Sequence, residues 1–151
     1  MKRIVVLNKV ELELAVLGGT ARYEQNKINK MQGDHGIELD VRGMAGEIAV
    51  CKYFGVYPDL KIGPNRLGHD LEHKGLKIDV KCTKYRQGWL RVGLNHRAEY
   101  NLIYLLVTEI GKEYHLVGWQ WAETILQAQY QTEKGYIMEQ SMLRDIDEIT
   151  K

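Results

Sequence analysis

Apolar positions change their spacing along the chain, and the change separates helices from strands. Residues 4–7 form a short apolar run suited to a strand. Residues 11–16 either continue that strand or open a helix, and Gly18-Gly19 is expected to end the segment. Thr20 then offers an N-cap for a helix over residues 21–31, with Glu24 in its first turn. Residues 32–36, Gln-Gly-Asp-His-Gly, carry loop chemistry. Asp40 is a second N-cap, for a helix over residues 41–54 stopped by Gly55 and then Pro58. Residues 58–68 hold both prolines of the chain and two glycines, and read as a loop.

Beyond that loop the period becomes two. Leu76, Ile78 and Val80 are apolar while Lys77, Asp79 and Lys81 are polar, the pattern of a half-buried strand. Leu71 and Glu72 lie just upstream of Lys74-Gly75, which predicts a partner strand and a tight hairpin turn. Residues 90–94 alternate again. Residues 102–107 are continuously apolar, as in a central strand covered on both faces. A Gly111-Lys112 turn leads into a strand over residues 114–119. Residues 121–130 look helical, with Glu123 in the first turn. Gly135 interrupts, and residues 136–149 close the chain as short irregular elements. The fold class expected is α/β, a central mixed β-sheet flanked by helices in one domain, with no repeat or linker dividing it.

Composition removes several alternatives. With 151 residues, 44% of them hydrophobic and a net charge of +1, the chain can bury a sizeable core and has no signature of disorder. Its longest apolar run is too short to cross a bilayer, so no membrane partner is expected. The Met-Lys-Arg-Ile-Val-Val-Leu opening lacks the longer apolar stretch of a signal peptide. Two cysteines, Cys51 and Cys82, make neither a disulfide framework nor a four-ligand zinc site. A reducing cytoplasm is the expected location. The small net charge also hides an asymmetry: residues 61–97 carry 9 basic and 3 acidic side chains, and residues 98–151 carry 4 and 9. A basic segment that also holds Tyr85, Trp89, His69, His73 and His96 suits an anionic partner such as nucleic acid.

The candidate chemistry lies in Asp70 and Asp79-Val80-Lys81. Residues 79 and 81 are two apart on a strand and project from one face. Across the hairpin, Asp70 is expected to face Asp79 or a close neighbour. Glu47 is a second anomaly, because its helical neighbours Gly43, Met44, Val50 and Cys51 are all apolar or small. A charge there needs a cation, either a metal or a basic side chain such as Arg42 or Arg22. Gly43 and Gly46 thin the helix beside it, permitting close approach to a sheet or a ligand. Three carboxylates suit a hard divalent cation, which keeps positions for water and phosphate. A lysine beside it can orient the attacking water or stabilise charge developing on phosphorus. The backbone carbonyl of Val80 is a further candidate ligand.

Gly43-Met-Ala-Gly-Glu47, Gly68-His-Asp70-Leu and Ile78-Asp79-Val80-Lys81-Cys82-Thr83 together resemble the PD-(D/E)XK, or restriction-endonuclease-like, nuclease superfamily. Ala98-Glu99-Tyr100-Asn101, Leu116-Val117-Gly118-Trp119, Tyr136 and Leu143-Arg144-Asp145-Ile146 resemble a small, often phage-encoded branch. The resemblance covers residues 41–149, the expected catalytic core, and leaves residues 1–40 as an extension of unassigned role. It departs from the common pattern in having His69 before the first acid and Asp as the second acid. Residues 95–101 also leave little room for the usual helix.

The resemblance implies a restriction-endonuclease-like core and a Mg²⁺-dependent deoxyribonuclease, with Mn²⁺ able to substitute. Glu47, Asp70 and Asp79 would be metal ligands, directly or through water, and Lys81 the catalytic lysine. It also implies DNA as partner, duplex or branched, with a homodimer suited to cutting two strands. For a phage-encoded chain the location would be the host cytoplasm. His69, Thr83, Lys84, Arg86 and Trp89 are the DNA-contact candidates, with Trp89 or Tyr85 stacking on an unpaired base. The competing expectation is a non-catalytic nucleic-acid-binding module on the same scaffold.

Overall fold

The computed structural model describes residues 3–29, 36–60 and 68–149. Its frame is a five-stranded mixed sheet in the order β1-β6-β5-β3-β2. These strands are β1 (Arg3–Val6), β2 (Leu71–His73), β3 (Leu76–Thr83), β5 (Leu102–Ile110) and β6 (Glu113–Trp121). β3 and β5 run parallel, and the other neighbours are antiparallel. A smaller sheet pairs β4 (Leu90–Val92) with β8 (Gly135–Met138), which also pairs with β7 (Gln131–Thr132).

The continuous apolar run of β5 is buried on both faces, as expected for a central strand. Ile103, Leu105 and Val107 enter one cluster with the long helix α2 (Gly36–Phe54). Leu102, Tyr104 and Leu106 enter a second cluster with β4, β8 and the short helix α3 (Ala122–Ile125). The same alternation sets β3, whose Ile78 and Val80 join the α2 side. Asp79 and Lys81 therefore face the other way.

The first helix corrects the sequence reading. α1 (Lys9–Asn29) runs through Gly18-Gly19 without a break, and Thr20 lies inside it rather than at its cap. The glycines are there for contact. A Cβ on Gly19 would lie 2.5 Å from Val41 Cα, and one on Gly18 would lie 2.7 Å from Met44 Cε. α1 thus packs tightly on α2, and the helix tolerates the local cost of two glycines. Its start is a reciprocal cap: Asn8 Oδ1 accepts the Glu11 N–H, and Glu11 Oε1 accepts the Asn8 N–H, both at 2.8 Å.

α2 begins at Gly36, so Asp40 is an interior residue and not the cap; Glu38 supplies negative charge to the first turn instead. Its end is as expected. Gly55 adopts φ +71, and the Val56 N–H donates to the Cys51 carbonyl at 2.9 Å, satisfying a terminal carbonyl. The helix expected over residues 121–130 shrinks to α3 and a 3₁₀ turn at Ala128–Tyr130. The chain must turn there to lay β7 on β8, a long-range demand absent from local propensity. The loop expectations for residues 32–35 and 61–67 lie outside the described residues. Residues 95–101 contain turns but no helix. β1 pairs with β6, so the N-terminal segment extends the main sheet. Among the described residues no helix is long and apolar enough to cross a membrane.

Candidate active site

The site grows out of the β2–β3 hairpin. Lys74 and Gly75 take φ values of +48 and +83, the left-handed pair that a two-residue hairpin turn requires. That turn sets the register at Leu71 opposite Ile78. Asp70 comes next, beside the Ile78–Val80 stretch. Its N–H donates to the Ile78 carbonyl at 2.9 Å, and its Oδ2 accepts the Val80 N–H at 2.7 Å. Asp70 thereby covers an edge of β3 that β2 leaves open. The Val80 carbonyl points to the same edge as its N–H, as in any strand residue.

Asp79 and Lys81 share the opposite face and form an ion pair at 2.9 Å. Asp79 is buried. Burial pushes its carboxyl above the ordinary carboxylate value, Lys81 draws it back, and the negative charge of Asp70 raises it further. Lys81 Nζ also stands 5.7 Å from the centre of the Tyr104 ring, and Tyr104 is the register partner of Asp79 on β5. The Tyr104 hydroxyl lies 3.4 Å from His96 Nδ1. Burial lowers the His96 pKa, and Lys81 lowers it further.

His96 and Tyr104 are members of the site that the sequence reading did not single out for it. Tyr104 could have been found by pairing the face of Asp79 with the alternate residues of the central strand. His96 carried no comparable signal.

Glu47 lies buried on α2 and takes one of the two arginines named as alternatives to a metal: Arg22 Nη1 donates to Glu47 Oε1 at 2.7 Å. The other, Arg42, pairs with Glu109 at 3.3 Å. Both Glu47 and Asp70 reach Cys51 electrostatically. Burial first, then these two charges, push its thiol up to about 12. Among the described residues no three His, Cys, Asp or Glu side chains converge tightly enough to hold a metal ion among them. Asp70, Asp79 and the Val80 carbonyl are the donors on this stretch of β3 that could hold a magnesium ion, which commonly takes one or two carboxylates and keeps its waters.

The remaining candidates divide. His69 is buried and its Nε2 meets Glu72 Oε1 at 3.0 Å, so it is neither exposed nor idle. Thr83 Oγ1 accepts the Tyr85 N–H at 3.2 Å. Lys84, Arg86 and Trp89 are exposed in the turn that follows β3, with Lys84 over the Tyr85 ring at 5.5 Å. Gly46 is in contact with the sheet, since a Cβ there would lie 2.8 Å from Cys82 Cβ. Gly43 instead faces open space. Cys51 and Cys82 are packed thiols, and both are raised to about 12 by burial above all. Trp119 is buried, donates from Nε1 to the Asp145 carbonyl at 2.9 Å, and meets Trp121 edge to face.

No family model matches the chain, and neither a curated protein nor a solved structure matches it.

Proposed function

We propose that this chain is a divalent-metal-dependent nuclease that hydrolyses DNA phosphodiester bonds on a restriction-endonuclease-like core of the PD-(D/E)XK type. One observation carries the reading. The Asp70 carboxylate sits on the β3 edge at Val80, and Asp79 with its paired Lys81 projects from the same short stretch of strand. A surface ion pair would serve no purpose that requires burying Asp79 beside a second acid.

In this reading Asp70, Asp79 and the Val80 carbonyl would hold Mg²⁺ or Mn²⁺, with Glu47 contributing through water from the α2 side. Such an ion would supply Lewis-acid neutralisation of the phosphate and would lower the pKa of a water. Lys81, already next to Asp79, orients the attacking water and stabilises charge on phosphorus. Tyr104 supports the lysine from below, its ring face drawing the ammonium toward the Asp79 side of the strand.

A second reading is a nucleic-acid-binding module without catalysis. Its support is the Arg22 partner of Glu47, which meets the charge of that residue without a metal.

The deciding experiment incubates the purified chain with supercoiled plasmid, linear duplex, single strand and four-way junction in Mg²⁺, Mn²⁺ or EDTA, with Asp79→Ala as control. Metal-dependent cutting that disappears in the variant is the expected result. Binding without metal, and no cutting of any substrate, would favour the second reading.

A further inference from the structure

A cleft of about 880 Å³ opens where β3 outruns β2, within the range of about 300–1,000 Å³ typical of ligand sites. Lys81 and Thr83 of β3, Trp89, Arg91 of β4 and Gly43 of α2 all line it. None of the described lining residues is a carboxylate, and two are cations. Lys81 is paired with Asp79 at 2.9 Å, and exposed Arg91 is the cation open to an incoming anion. Tyr85 and Trp89 remain 65% and 43% exposed beside it. Large aromatic rings left in water next to cations, instead of in either core, are suited to stacking on a ligand with flat faces.

These rings are presented by a fixed turn. The Tyr85 N–H donates to Thr83 Oγ1 at 3.2 Å, and the Gly88 N–H donates to the Tyr85 carbonyl at 2.9 Å. The side-chain amide of Gln140 donates to the carbonyls of Arg86 at 2.9 Å and Gly88 at 2.8 Å, tying the turn to the far end of the chain. A Cβ on Gly88 would lie 2.7 Å from Thr83 Cγ2, so the turn closes directly on the strand. A pre-formed aromatic platform loses little freedom when a ligand arrives. Gly43 also lines the cleft, and a Cβ there would meet no atom within 4 Å, so a larger side chain at this position would project into free space.

We propose that this cleft binds single-stranded DNA, with an unpaired base stacked on Trp89 or Tyr85 and phosphates on Arg91 and Lys81. Bases inside a duplex hide their faces in the stack and cannot use these rings, so an unpaired strand is the form the cleft selects. The proposal deepens the nuclease reading and rests on it in one respect: the strand in the cleft is the strand delivered to Lys81.

The test is anisotropy of a fluorescein-labelled oligothymidylate, a blunt duplex of equal length and an oligouridylate, all in EDTA so that no cleavage intervenes. The variants are Trp89→Ala and Gly43→Leu, each checked for folding by circular dichroism and thermal melting. The single DNA strand should bind more tightly than the duplex. Trp89→Ala should weaken it at least about fivefold, the lower end of what one stacked base contributes. Gly43→Leu should weaken it by obstruction without lowering the melting temperature, which keeps the test open if Trp89→Ala fails to fold. Equal affinity for duplex and single strand would overturn the proposal, as would no effect of the folded variants on single-strand binding. Tighter binding of the oligouridylate would overturn the assignment to DNA. Cleft-dependent binding by a protein that cuts nothing in Mg²⁺ would remove the nuclease reading and leave the binding site standing. Cutting that is indifferent to both variants, with no cleft-dependent binding, would do the reverse.

Discussion

Arg22 of α1 and Glu47 of α2 meet at 2.7 Å with each side chain only 10% exposed, so a charge pair inside their packing joins the two long helices. Removing one member of such a pair costs far more than the pair contributes over a well-packed apolar substitute. Arg22→Ala is expected to lower stability by about 3–5 kcal/mol. The joint replacement Arg22→Met with Glu47→Leu should cost clearly less. Urea unfolding of both variants checks this. A double replacement as damaging as the single one would mean that shape, and not the loss of the charge pair, sets the cost.

Asp79 and Lys81 should separate by readout. Asp79→Ala is expected to abolish Mn²⁺ binding measured by calorimetry, together with cleavage, while the far-ultraviolet spectrum stays unchanged. Lys81→Ala should retain Mn²⁺ binding and lose about 10²-fold or more in turnover, the scale of removing one transition-state stabilising group. Wild-type cleavage by both variants, with contaminating nuclease excluded, would refute the roles assigned here.

The strands were legible where period two met a turn with special backbone needs. Lys74-Gly75 announced the β2–β3 hairpin, and the unbroken apolar run of β5 announced a strand covered on both sides. Asp70, Asp79 and Lys81 could therefore be brought together from sequence to within a residue of register. α1 was misread because Gly18-Gly19 reads locally as a stop, whereas its purpose is contact with Val41 and Met44, some twenty residues away. The Asn8–Glu11 cap was readable by its spacing alone, and the nearer Thr20 obscured it. The partner of Glu47 was left open between a metal and a basic side chain such as Arg42 or Arg22, and finding Arg22 beside it needed the α1–α2 packing. His96 enters the site through turns that no periodicity describes.

The glycines give a pair of predictions opposite in sign. Gly19→Ala improves local helix propensity by about 1 kcal/mol, yet its Cβ would sit 2.5 Å from the Val41 backbone. Backbone cannot step aside cheaply, so a net loss of about 1–3 kcal/mol is expected. Gly43→Ala meets nothing within 4 Å and should gain up to about 1 kcal/mol. Thermal melting of the two variants side by side is the check. A stabilised Gly19→Ala would show that α1 and α2 are less tightly packed than the fold requires.

Glu11 should govern part of the acid sensitivity. Burial alone would raise its carboxyl, but the Asn8 N–H and the Lys52 ammonium, which reaches Glu11 Oε1 at 2.8 Å, outweigh it and hold the group below its ordinary value of 4.5. A carboxylate whose folded pKa is depressed contributes its full stability above the unfolded pKa. That contribution disappears as pH falls through the folded one. Glu11→Gln removes the charge and keeps a side chain of the same shape. At neutral pH it should be less stable than wild type by up to about 1 kcal/mol, because glutamine still accepts the Asn8 N–H and only the charge facing Lys52 and the helix N-terminus is lost. The gap should close as pH drops below 4.5, where the wild-type carboxylate takes up its proton. Urea unfolding of both proteins across that range reads the effect directly. A gap that stayed constant through the carboxylate range would show that the charge on Glu11 contributes nothing and that only the shape of the cap matters.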